Sequence, residues 1–349
     1  MTAVATLSQP ASSPALSTAR LPIVDAARGV AIAAMVVYHA AWDITFFDLA
    51  PVDAVGSPFW RNFAHAIAAS FLFLVGVGLV LAQGDARRPG ASQPPSALQP
   101  QRWRRYLRRL GVIVAAACAV TLATWIATPD RFIYFGILHC IAAASVLALP
   151  FLRAPAALTA LVGLAVIILP FRFSSALFDP PWLAWLGLGA TVPNTSDYVP
   201  VFPWFGPVLI GVALAKVALP RLTAGPAGRW APSGAVGRVL AWSGRHSLVI
   251  YLTHQIVLMG IFWTLFQLAG PNATAQAMRM RDSCIASCVE TEADAGQCRL
   301  TCACTMRTLR REGLLGGLAA GRIDDEQRPR LSAIVRQCRI VDPPLPGPR

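Results

Sequence analysis

The stretch VDAARGVAIAAMVVYHAAWD, residues 24–43, decides how this chain is read. It is apolar and long enough to cross a bilayer, which takes about 20 residues, yet it carries Asp25, Arg28, His39 and Asp43. On an α-helix each residue turns the direction by about 100° and advances about 1.5 Å. Counted from Arg28, His39 falls about 20° away and Asp25 and Asp43 each about 60° away, so all four share one face. Arg28 and His39 are then stacked roughly 16 Å apart, with Asp43 one turn beyond His39 and within reach of its imidazole. An ionisable group inside a span costs about 2.5–3.5 kcal/mol or more, so such groups usually face a water-filled cavity or a working site. The bland alternative has Asp25 and Arg28 capping the helix at the interface and His39 bonding a neighbouring helix. A lone histidine would favour that alternative; four residues in one stripe favour a site.

The rest of the chain agrees with a membrane setting. Its 349 residues are 55% hydrophobic and 13% charged, with a mean hydropathy of +0.54, whereas soluble domains carry about 25% charged residues. Span-length apolar segments lie near residues 23–46, 63–82, 110–127, 132–151, 155–171, 199–219 and 247–268. The expectation is an all-α, polytopic membrane helix bundle of about seven spans, with a small Cys-rich helical C-terminal tail.

A net charge of +13 would suit nucleic acid, but the arginines lack the aromatic interleaving of a nucleic-acid groove. Arg87, Arg88, Arg102, Arg104, Arg105, Arg108 and Arg109 crowd the loop after the second span, and Arg221, Arg229, Arg238 and Arg245 the loop before the last. Positive loops stay in the cytoplasm. Seven spans then put the N-terminus inside and both the loop of Asp43, Asp48 and Asp53 and the C-terminal tail outside. Lys216 is the single lysine among thirty basic residues, a compositional hint of a GC-rich bacterial genome and hence of a bacterial inner membrane. Residues 1–20 are rich in Ala, Ser, Thr and Pro, without an early basic cluster, and read as a disordered cytoplasmic lead. Composition shifts at Gly270-Pro271, so residues 21–270 read as the membrane domain and 271–349 as the tail.

Other polar residues sit where the same cavity could use them. FGILHC places His139 in the fourth span. HSLVIYLTHQ places Ser247, Tyr251 and His254 on one face of the last. Asn62 and His65 stand near the outer end of the second span, and His246 reads as an interface residue. His139 and His254 could equally serve interhelical bonding. Asp197 and Tyr198 could bind a polar acceptor or form the turn into the sixth span. A metal site is disfavoured, because no HxxxH or HExxH pair is present.

Six of the eight cysteines fall in the tail. Cys284 and Cys288 share one helix face, as do Cys298 and Cys302, which suits a helical hairpin laced by Cys284–Cys302 and Cys288–Cys298, leaving Cys304 for Cys338. Six cysteines allow fifteen pairings. A zinc site built from the two CxxxC pairs is the alternative, but it needs a reducing side, whereas disulfides persist outside the cytoplasm.

VDAARGVAIAAMVVYHAAWD, together with FIYFGILHCIA (132–142), DYVPVFPWFG (197–206) and GRHSLVIYLTHQ (244–255), resembles the bacterial membrane proteins of the heparan-alpha-glucosaminide N-acetyltransferase family. The resemblance covers about residues 20–265. The spacing of Arg28 and His39 is also similar to the signature of the acyltransferase 3 proteins. The resemblance implies transfer of an acyl group, in the first instance acetyl from cytoplasmic acetyl-CoA, to a hydroxyl or amine of a glycan or lipid-linked sugar acceptor. His39 matches the signature histidine and Arg28 its arginine.

On chemical grounds His39 suits the general base, Asp43 could hold its tautomer, and Arg28 could meet a CoA phosphate. His139, His254, Tyr251, Asp197 and Tyr198 are left as candidates for binding substrate. Two other readings stay open: a proton-coupled transporter or flippase using the same stripe, and a non-enzymatic anchor that displays the tail.

Overall fold

The computed structural model describes residues 21–84, 95–226, 230–292, 294–319 and 322–340. The proposed lead of residues 1–20, and Arg87, Arg88 and Arg229, lie outside the described residues. Those described are almost wholly helical, with no strand among them. In chain order the helices are α1 (Pro22–Phe46), α2 (Pro58–Gly84), α3 (Pro95–Ala127), α4 (Ile137–Leu147), α5 (Ala156–Ile168), the short α6 (Pro181–Ala184), α7 (Val201–Ala224), α8 (Gly234–Arg245), α9 (Ser247–Ala269), α10 (Ala273–Glu292), α11 (Ala295–Arg311), the short α12 (Leu315–Ala319) and α13 (Gln327–Ile340).

Helices α1, α2, α3, α7 and α9 are long and apolar enough to cross a bilayer. Where the fourth and fifth spans are expected, α4 and α5 run for only 11 and 13 residues. At 1.5 Å per residue these cover roughly 16–20 Å, short of a hydrocarbon core of about 30 Å. Proline explains the shortening: Pro150, Pro155 and Pro170 fall at 3-10 turns or at the helix start, where a residue without an N–H ends or begins a helix.

The chain forms two compact units. Among the described residues, the first comprises Leu21–Ala33 together with those between Ala66 and Leu252. Its core is built from Leu72 and Leu79 of α2, Cys140 and Ala144 of α4, and Phe205, Val208, Leu209 and Val212 of α7. Helices α2 and α7 touch backbone to backbone: a Cβ on Gly76 would collide with the Val208 carbonyl, and one on Gly211 with the Phe73 carbonyl. Small residues at such crossings are how membrane helices gain packing contacts without a hydrophobic driving force. Lys216, a charge within α7, donates to the carbonyls of Phe151 and Ala154, both at 2.5 Å. It thereby satisfies acceptors that the proline-broken turn between α4 and α5 leaves over.

The second unit comprises Ala34–His65 and the described residues between Thr253 and Ile340. In it Asp48, at the end of the turn after α1, has a left-handed φ of 51°. Its carboxylate pairs with Arg279 of α10, and its carbonyl accepts from Asn272 N–H at 2.7 Å. Burial raises the pKa of the Asp48 carboxyl against the opposing pull of Arg279. Helices α10 and α11 form a hairpin bridged by Cys284–Cys302 and Cys288–Cys298, and Cys304–Cys338 fastens α13 to it. Asp294 caps α11 by accepting from the N–H groups of Gly296 and Gln297. Arg330 grips Glu312 through two hydrogen bonds of 2.7 and 2.6 Å, which holds the Glu312 carboxyl below the usual range.

Candidate active site

In the first unit a cavity of about 1530 Å³ opens among α1, α2, α3 and α4, and six arginines line it: Arg28, Arg105, Arg108, Arg109, Arg153 and Arg245. Arg28 is partly buried, with its side chain 22% exposed, and donates to Asp25 at 3.2 Å. One carboxylate does not neutralise this wall. Gly78 of α2 shows how close two of the cations come: a Cβ there would lie 2.9 Å from Arg28 Nη2 and 3.9 Å from the tips of Arg109. The two guanidinium groups therefore stand within about 7 Å of each other over a glycine that leaves them room. Like charges at that range repel by a few kcal/mol at an effective dielectric near 20. An anion between them reverses the sign, and guanidinium forks match phosphate oxygens two at a time.

In the second unit the His39 and His254 rings meet edge to face with centroids 4.8 Å apart. His254 is 8% exposed and is the buried residue of α9. An apolar helix that buries its histidine and leaves leucine, isoleucine and valine outside has the pattern of a span facing lipid. One residue on, Gln255 Nε2 donates to Asp43 Oδ1 at 2.8 Å. Asp43 is fully buried, and its Oδ2, like Gln255 Oε1, has no hydrogen-bond partner. Asp43 thus bonds Gln255 and not His39, which corrects the expected tie to the imidazole. The helical count placed the two residues a turn apart, but α9 supplies the nearer donor.

A family model described as heparan-alpha-glucosaminide N-acetyltransferase, catalytic, matches residues 20–256. The chain belongs to this family. No curated protein and no solved structure gives a match. Membership in this acetyltransferase family, together with the apolar helices, makes the chain a multi-pass membrane protein of acetyltransferase type.

Within this family member the remaining candidates divide. Tyr251 lines the arginine cavity. His139 is engaged at both ring nitrogens. Nδ1 accepts from Gly136 N–H at 3.2 Å, which leaves the proton on Nε2 to meet Thr121 Oγ1 at 3.2 Å. The Thr121 hydroxyl in turn donates to the Ile133 carbonyl at 2.6 Å. The tautomer follows from this chain of bonds. His139 caps its own helix and ties α3 to α4.

Asp197 Oδ2 accepts from Ile137 N–H at 2.9 Å at the start of α4, where Gly136 has no side chain to obstruct it. Burial raises the Asp197 pKa, and the Ile137 N–H partly offsets the shift. Tyr198 donates to the Ala184 carbonyl at 2.7 Å, and its phenol is pushed up to about 12 by burial, then by Tyr134 and Asp179. Both side chains brace the loop that enters α7. His65 is exposed, and His246 stacks on Trp242 with ring centroids 4.6 Å apart.

Sequence reasoning missed Gln255 and the role of Arg109. Gln255 follows a span histidine inside a quoted motif, and an amide in a span was the signal available. Arg109 belongs to a basic loop segment by composition alone, although it lies at the start of the apolar run of α3.

Proposed function

We propose that the chain transfers an acyl group, acetyl from acetyl-CoA, to a hydroxyl or amine of a glycan or lipid-linked sugar acceptor at the bacterial inner membrane. One observation carries the donor assignment: Arg28 and Arg109 converge at Gly78 in a cavity walled by six arginines, a setting suited to the phosphates of CoA. Family membership supports the reaction class. His39 stands eleven residues along α1 from Arg28 and serves as the general base, since imidazole works near neutral pH. It takes the proton as the acceptor oxygen or nitrogen attacks the thioester carbonyl, and the CoA thiolate leaves and is protonated in its turn. Asp43 and Gln255 offer buried acceptor oxygens for the N–H or O–H of the incoming group.

We assign the arginine-rich ends of the spans to the cytoplasm by the positive-inside rule and, with an odd number of crossings, the tail to the far side. Its three disulfides support that side. The test is radiolabelled acetyl-CoA supplied to purified protein with a panel of glycans. Transfer of label is expected, and His39→Ala should lower it by about 10²- to 10⁴-fold while the protein still accumulates. Full activity in that variant overturns the base. Donor-independent solute uptake into vesicles, without acyl transfer, overturns the reaction.

A further inference from the structure

One aromatic pair on the wall of the arginine cavity has no part in the chemistry above. Trp103 and Tyr106, three residues apart on α3, stack with ring centroids 5.3 Å apart and planes inclined by 21°. Tyr106 is the fixed member: its hydroxyl donates to the Ser145 carbonyl at 3.0 Å, and its ring packs on the core of the first unit. Trp103 lies on that support and is 53% exposed, so the indole is backed by Tyr106 yet about half accessible.

An exposed tryptophan near the end of a span is often an interfacial anchor. The cavity argues otherwise. Trp103, Tyr106, Leu110 and Ile113 follow one another at helical spacing, and all four line it. Trp103 thus belongs to the cavity wall. Arg109 stands six residues, about 9 Å of helix, further along α3. A flat, supported π-surface beside convergent guanidinium groups is what a nucleotide needs: a base stacks on the ring while its phosphates meet the cations.

We infer that Trp103 is the platform for the adenine ring of the donor, with Tyr106 holding it in place. The inference rests on the proposal that the arginine cavity takes acyl-CoA. It assigns the base end of that ligand, so Trp103 sets preference for a nucleotide-bearing donor over a bare pantetheine thioester. No bond is made or broken at Trp103.

Two measurements on the full-length protein in detergent test this: binding of adenosine 3′,5′-bisphosphate by calorimetry, and transfer from acetyl-CoA compared with S-acetylpantetheine. Trp103→Ala should weaken nucleotide binding and raise the acetyl-CoA KM by roughly 5- to 150-fold, leave S-acetylpantetheine unchanged, and be rescued largely by Trp103→Phe. An equal loss with both donors, or nucleotide binding as tight as wild type in Trp103→Ala, overturns the platform and leaves the reaction standing. Nucleotide binding lost in Trp103→Ala while the wild type binds but transfers no acetyl to any acceptor supports the platform and sinks the reaction.

Discussion

Gln255 donates its side-chain amide to the carboxylate of Asp43 at 2.8 Å, across 212 residues of sequence. Because Asp43 is fully buried, that single bond is what its carboxylate receives from the protein, and one oxygen on each partner is left to accept. Gln255→Leu should therefore lower stability by about 1–3 kcal/mol, the cost of a buried polar group left without its partner, and should lower acyl transfer. Exchanging the groups, with Asp43→Asn and Gln255→Glu in one protein, should restore the hydrogen bond and recover part of what each single variant loses. Thermal unfolding in detergent and acceptor kinetics read the two effects; no recovery in the double variant would show that the bond is incidental.

Gly78 separates donor binding from fold. A methyl group there falls 2.9 Å from Arg28 Nη2, the movable end of a long side chain, so Gly78→Ala should displace that guanidinium without disturbing the helices. The acetyl-CoA KM should rise about tenfold, equivalent to about 1.4 kcal/mol of lost binding, with little change in acceptor KM or melting temperature. Arg28→Lys, which keeps the charge and loses the fork, should show the same pattern. A change confined to the acceptor would remove Arg28 from the donor cavity.

Asp197 gives a pH dependence of known sign. Its folded pKa is raised by burial, so the stability it contributes is present below the ordinary aspartate range and is lost as pH rises through the folded value. Asp197→Asn keeps an oxygen for Ile137 N–H and should flatten the fall in melting temperature as pH rises above the ordinary aspartate range. Asp197→Ala removes the cap and should cost about 0.5–2 kcal/mol at any pH. If the asparagine variant melts with the wild-type pH profile, the buried carboxyl is not its source.

The three disulfides differ in the loops they close. Cys304–Cys338 spans 34 residues and Cys288–Cys298 only 10. In the chain-entropy account these closures stabilise by about 4 and about 3 kcal/mol. Cys304→Ser with Cys338→Ser should thus loosen the tail more than the Cys288 and Cys298 pair of changes, read as faster limited proteolysis of α13. Equal proteolysis rates would mean that native contacts, and not loop length, set the order.

What could be read from residues alone was whatever depends on neighbours along the chain. Apolar length marked the spans, the 100° helical step put Arg28, His39 and Asp43 on one face, and the four-residue spacing of the tail cysteines put each pair on one side of its helix. Proline was visible at positions 150, 155 and 170, yet apolar composition masked its effect, and α4 and α5 came out shorter than their hydropathy suggests. Tertiary structure alone decided which partner each polar group found. His139 closed a loop of bonds with Gly136 and Thr121, Asp197 went to the N-terminus of α4, Asp43 took Gln255 from α9, and Arg109 came to stand beside Arg28. The physical reason is that a helix period fixes the direction in which a side chain leaves its own axis, whereas a hydrogen bond or ion pair forms only where a second segment, placed by packing at residues such as Gly76 and Gly211, brings a donor or acceptor within about 3 Å of the right atom.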